Sequence, residues 1–172
     1  NNCGNSAENL AASIYSISGL KIDHFASFNF DGFESIIDSV GGIEICVDVT
    51  QKEGYSFELQ KGCQTVSGLP TLNWVVSRST QILVGEKIVD ANGTDNSTWE
   101  PMPGVSDITR IKRQQYVVIQ LIKELNQFES INELNSFIRA LEKTFVIDEN
   151  LSLNKAVEIL WTLRGFEIST VN

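Results

Sequence analysis

The chain of 172 residues has one histidine, one methionine, three cysteines and three prolines. Each shortage removes a class of chemistry. A lone histidine excludes a Ser-His-Asp triad accompanied by a histidine metal set, and the cysteine spacing fits no zinc module. Three cysteines are too few for a disulfide-built scaffold. No apolar run approaches the roughly 18 residues of a membrane span. The opening Asn1-Asn2-Cys3-Gly4-Asn5 lacks the basic-then-apolar pattern of a signal peptide, and with no initiating Met the stretch reads as excised from a longer chain. Cations are scarce too: 13 Lys and Arg face 22 Asp and Glu, a formal net charge of −9. That balance argues against a broad nucleic-acid surface. There is no Walker loop, no Gly-x-Gly-x-x-Gly and no Gly-x-Ser-x-Gly.

What is present reads as one domain, residues 1–172, with 42% hydrophobic residues and enough length for a sizeable core. Residues 7–18 carry Leu10, Ile14 and Ile17 at helical spacing. Residues 22–30 read as an aromatic-rich strand, and His24 within it has no partner suggested by spacing, so it is taken as structural. Asp31 and Glu34 form a capping-box-like pair before Ile36, Ile37 and Val40. Ile43, Ile45, Val47 and Val49 alternate with polar residues as in a half-buried strand. Gln51–Ser56 reads as a loop leading to a second arm at residues 57–59. Cys46 and Cys63 lie where a hairpin could bring them together, though spacing alone does not establish a bridge, and Cys3 is left over.

Ser67 opens a helix that continues to Arg78. Residues 79–106 form a long excursion rich in Gly, Asn, Asp and Thr, expected to be mobile around Asn92–Trp99. Three further helices follow: one opened by Ser106-Asp107, one through Ile131, Leu134, Ile138 and Leu141, and one capped by Asn150 or Ser152. Gly165 is expected to stop the last, with a strand over residues 166–171. Alternating strands and helices argue for α/β layers with helices on both sheet faces.

The chemistry concentrates at Ser106–Gln115. On helical periodicity Asp107, Arg110 and Gln114 share one face with Arg113 beside them. Ile111, Val118, Leu121, Ile122 and Leu125 form a neighbouring apolar stripe suited to a core. Helix starts favour anions, and guanidinium forks match phosphate oxygens. Together with Arg78 at the end of the preceding helix, the group suits a phosphate-bearing ligand. The same spacing also fits a solvated helix start with local ion pairs.

Several stretches, in order and at characteristic spacing, resemble the LytR-CpsA-Psr family of cell-envelope proteins. They are Ile22–Phe25, Phe30–Phe33, Ile37–Ile43, Leu59–Gln64, Leu72–Arg78 and Asp107–Gln115. The resemblance implies a three-layer αβα sandwich with a mixed central sheet, whose N-terminal part has no counterpart here. It implies a membrane-anchored parent outside the cytoplasmic membrane that moves a glycopolymer, such as teichoic acid, from a polyprenyl-diphosphate carrier onto peptidoglycan or a surface protein. It further implies a Mg²⁺ cofactor with ligands upstream of this stretch, while the net charge of −9 argues against a nucleic-acid partner. Carried over by position, Arg78, Arg110 and Gln114 contact the pyrophosphate, with Arg113 and Asp107 supporting them. Arg78 and Arg110 are the catalytic cations, while Phe28, Phe30, Ile37, Val118 and Ile122 line an apolar tunnel for the prenyl tail. A Cys46–Cys63 bridge is also implied. Where the family shows Arg-x-Arg, this chain has Val76-Ser77-Arg78, which lowers the expected pyrophosphate grip. Taken alone the stretch is expected to be inactive. Two other functions suit the same resemblance: a non-catalytic binder of polyprenyl-linked glycan, and an envelope-associated transcription attenuator.

Overall fold

The computed structural model describes residues 3–164. It is a mixed α/β fold with six helices: α1 (Cys3–Ser18), α2 (Phe30–Ser39), α3 (Gly68–Val76), α4 (Asp107–Glu124), α5 (Ile131–Ala140) and α6 (Leu153–Leu163). Its eight short strands are β1 (Ala26–Phe28), β2 (Ile43–Val47), β3 (Gln51–Glu53), β4 (Phe57–Leu59), β5 (Gly62–Val66), β6 (Gln81–Val84), β7 (Thr98–Pro101) and β8 (Phe145–Ile147). They form small sheets in the orders β1-β8, β2-β5 and β4-β3-β6-β7. Every pairing between these strands is antiparallel, so the parallel neighbours of a mixed central sheet are not among the described residues. Gly165 and the expected strand at 166–171 lie outside the described residues, as does the side chain of Cys3.

Several local signals operate as the sequence suggests. Ser106, Ser130 and Ser152 each accept a hydrogen bond from the backbone N–H three residues on, satisfying a donor the helix start leaves free. The α2 helix begins two residues earlier than expected: Asn29, not Asp31, is its cap and accepts from the Gly32 N–H at 2.8 Å. Phe30 is thereby helical, and the strand before it shrinks to β1.

In β2 the alternation buries Ile43, Ile45 and Val47 and exposes Glu44 and Cys46. Its partner is β5, not residues 57–59; those pair with β3, inside the expected loop. The β2–β5 register sets Cys46 opposite Cys63, and a disulfide joins them. The 79–106 excursion carries β6 and β7, a hairpin arm that extends the sheet beyond β3. Two ion pairs, Lys52–Asp95 at 2.7 Å and Lys87–Glu58, fasten the arm to β3 and β4.

Two apolar clusters make the core. Ile37, Ile45, Leu59, Val75 and Val117 belong to the first, Leu125, Leu134 and Val157 to the second. The α4 helix and the 3-10 turn that continues it (Leu125–Gln127) run through both. The buried face of α4 is Arg113, Val117 and Gln120, whereas Ile111 and Val118 are 51% and 54% exposed. The expected apolar stripe is therefore split: Leu121 packs on the first core, Ile122 and Leu125 belong to the second, and only Ile111 and Val118 face out. Periodicity of hydrophobicity misassigns that pair because two of the buried residues are polar. In α1, Leu10 and Ile17 are exposed despite their helical spacing.

Close packing of α2 on α3 needs Gly68. A Cβ there would stand 2.5 Å from the Glu34 carbonyl oxygen, well inside contact distance. In return, the Asp38 carboxylate accepts from the Gly68 N–H at 2.7 Å and so caps α3 from the neighbouring helix.

Candidate anion site at the start of α4

The turn after α3 and the start of α4 meet in a shallow cleft bounded by Arg78, Val105, Ser106 and Asp107. The Ser77–Thr80 turn presents Arg78, which is exposed between two buried neighbours, Ser77 and Thr80. Ser77 Oγ and Thr80 Oγ1 are 2.7 Å apart and share a hydrogen bond across the turn. On the opposite side, Ser106 caps α4 and Asp107 opens its first turn.

Arg110 lies one turn into the helix, with Nη2 3.2 Å from Asp107 Oδ1. Its Nε is buried and makes no hydrogen bond within the described residues. A buried donor without an acceptor costs roughly 1–3 kcal/mol, so it favours any anion that reaches it. Gln114, a further turn along, is exposed. Helical spacing sets Asp107, Arg110 and Gln114 on one face; of these, Asp107 borders the cleft with Arg78, and Arg110 is its ion-pair partner.

Arg113 departs from this group. It is 5% exposed and points into the protein. Nη1 donates to the Trp74 carbonyl at 2.9 Å and to Thr80 Oγ1 at 3.1 Å; Nη2 donates to Gln51 Oε1 at 3.2 Å. The guanidinium also sits over the Trp74 ring, 5.0 Å from its centroid. Burial holds its pKa below the usual arginine range, with Glu53 opposing the shift at longer range. The spacing 113-117-120 carried the only sequence signal, since it makes Arg113 continuous with buried Val117.

A second feature lies further along α4. The β1–β8 pair, with α2, α4, α5 and α6, lines an almost wholly apolar, half-open cavity of about 430 Å³. Phe28, Val118 and Ile122 border it as expected, whereas Ile37 is sealed in the core and Phe30 is exposed outside it. Glu124 also borders the cavity, and burial pushes its carboxyl pKa up. At the rim Asp148 accepts from the Phe25 N–H at 3.1 Å and pairs with His24 at 3.2 Å, a carboxylate partner that sequence spacing did not reveal.

For a metal, the described residues offer one set of three close donors, Glu44, Cys46 and Cys63. Both sulfurs are committed to the disulfide. This donor set does not suit Mg²⁺, which takes oxygen ligands.

Residues 3–85 match the model of the LytR-CpsA-Psr family. That stretch, just under half of the chain, is a LytR-CpsA-Psr family match. The chain's relatives include the cell wall biosynthesis protein LcpA of Corynebacterium glutamicum, 24% identical over 166 residues. That match covers 94% of this chain and 28% of LcpA. Among solved structures, the LytR-Csp2A-Psr enzyme from Actinomyces oris superposes with a TM-score of 0.63 at 21% identity, over 85% of this chain and 52% of the other. TagT bound to LIIa-WTA, a wall teichoic acid precursor, gives 0.61 at 16% identity, over 91% and 51%. The chain therefore spans about half the length of these LytR-CpsA-Psr structures, with which it shares a fold. No described helix is long and apolar enough to cross a membrane.

Proposed function

We propose that the protein containing this chain is a cell-envelope phosphotransferase, moving a glycopolymer from a polyprenyl-diphosphate carrier onto peptidoglycan or a surface protein. The observation that carries this reading is the two-ended character of α4. Its start holds Arg110, with an unpaired buried donor, beside the Arg78 cleft. Val118 and Ile122, further along the same helix, border the apolar cavity. Gln114 and Val118 are four residues apart, about 6 Å along the axis. A lipid diphosphate has the same polarity: an anionic head joined to an apolar tail. The family match and the TagT–teichoic-acid-precursor complex support the choice of ligand class.

In the reaction, an acceptor hydroxyl oxygen bonds to the phosphorus that carries the glycan. The bond from that phosphorus to the bridging oxygen breaks, the hydroxyl proton is lost, and polyprenyl phosphate leaves. Charge grows on the bridging and non-bridging oxygens. Arg78 and Arg110 neutralise it, and the Gln114 amide donates to it. The described residues do not offer a donor set suited to the Mg²⁺ that the family implies, and no step is routed through it. We place the parent at the outer face of the cytoplasmic membrane, held by an anchor beyond this stretch, and its complete domain as a three-layer αβα sandwich.

Val76, standing where the family's motif has a second arginine, favours a rival: a relative that binds lipid-linked glycan without turnover. The full-length protein, supplied with Mg²⁺ and a lipid-linked glycopolymer, distinguishes them. Release of polyprenyl phosphate supports the transferase. Tight lipid binding without release overturns it in favour of the binder.

A further inference from the structure

Arg113 is a buried cation hydrogen-bonded to neutral acceptors, and among the described residues no carboxylate forms a salt bridge with it. As simple core filler this is a poor choice, because an apolar side chain of similar volume commonly serves a fold as well or better. Its partners give it another use. Trp74 belongs to the last turn of α3, and Thr80 closes the turn that presents Arg78. Gln51 Oε1 also accepts from Trp74 Nε1 at 3.2 Å, so strand, helix and turn converge on one guanidinium. Met102, at the far foot of the β6–β7 arm, places its sulfur 3.7 Å from Nη2, and its N–H donates to the Thr80 carbonyl.

We infer that Arg113 is a positioning residue: it fixes Arg78 relative to Arg110 by bracing the Ser77–Thr80 turn from within α4. The inference rests on the proposed role of Arg78 as a diphosphate contact. The geometry supports it directly. Arg110 and Arg113 are three residues apart on one helix, the first paired with Asp107 at the cleft and the second bonded to the turn behind it. Any shift of the Ser77–Thr80 turn that carries Arg78 away from the α4 start strains the Arg113–Thr80 bond, to which the Thr80–Ser77 bond is linked. A lysine cannot replace the fork, because one ammonium cannot span the Trp74, Thr80 and Gln51 oxygens in the same planar arrangement.

The test is a double-mutant cycle on the full-length protein, with farnesyl diphosphate and inorganic pyrophosphate as probes in calorimetric titrations. Arg113→Lys and Thr80→Val are each made alone and in an Arg78→Ala background, at a temperature where circular dichroism shows every variant folded. Thr80→Val keeps the cation and removes only the hydroxyl link, so it answers the question if Arg113→Lys fails to fold. We expect each to weaken diphosphate binding by about tenfold in the parent, roughly 1.4 kcal/mol. In the Arg78→Ala background the further loss should be less than about twofold. Equal losses in both backgrounds would overturn the inference and leave the Arg78 contact standing, as would no loss in the parent. If Arg78→Ala itself leaves binding unchanged, the contact proposed for Arg78 is wrong as well.

Discussion

Cys46 and Cys63 face each other across β2 and β5, and their disulfide closes a sequence separation of 17 residues. Both residues are exposed, on the opposite side of the strands from Ile45 and Val47. The bond therefore acts chiefly by restricting the unfolded chain. Cys46→Ser/Cys63→Ser should lower stability by about 2–4 kcal/mol in urea denaturation. Mass spectrometry of the non-reduced protein should find no free thiol at either position; two free thiols would remove the prediction.

Arg110→Ala should weaken diphosphate binding by the full-length protein about tenfold to a hundredfold, the loss of a charge-assisted contact. Its melting temperature should change little, because its ion pair with Asp107 is at the surface end of α4. Unchanged affinity with a lowered melting temperature would show Arg110 to be structural.

Gly68→Ala should destabilise the fold by about 1–3 kcal/mol, since the added methyl meets the Glu34 backbone and not a side chain that can turn aside. Thermal unfolding reads the loss. A melting point equal to the parent's would mean that α2 and α3 separate at little cost.

For Asp148, burial raises the carboxyl pKa, but hydrogen bonds from the Phe25 N–H, His24 and the Asn150 N–H outweigh it and leave the pKa lowered. A depressed carboxylate stabilises the fold above its unfolded value, about 3.9, and the contribution fades as pH falls through the lower folded value. Acid unfolding monitored near the β1–β8 pair should therefore begin at higher pH in Asp148→Asn than in the parent. Superimposable acid transitions would refute this.

Much of the helical structure was legible because its signals are local: Ser106 and Ser152 open their helices, and apolar spacing marks α5, without reference to the rest of the chain. Strand pairing was less so. Residues 57–59 look like a partner for β2 until β5 occupies that edge, a choice made by register and not by propensity. At the candidate site, the face shared by Asp107, Arg110 and Gln114 follows from helical spacing, and Arg78 from its place at the end of the preceding helix. Arg113 was assigned to the wrong side, because a buried arginine is identified by acceptors from Trp74, Gln51 and Thr80, distant in sequence. Ile111 and Val118 were misread for the complementary reason, whereas Leu121, Ile122 and Leu125 pack as their spacing suggests.

The path of α4 through both apolar clusters has an experimental consequence at a distance. A diphosphate that steadies its first turns also raises the free energy of any opening that unwinds its far end. Amide exchange in α5 and α6, which share no residue with the anion cleft, should slow when a diphosphate is bound.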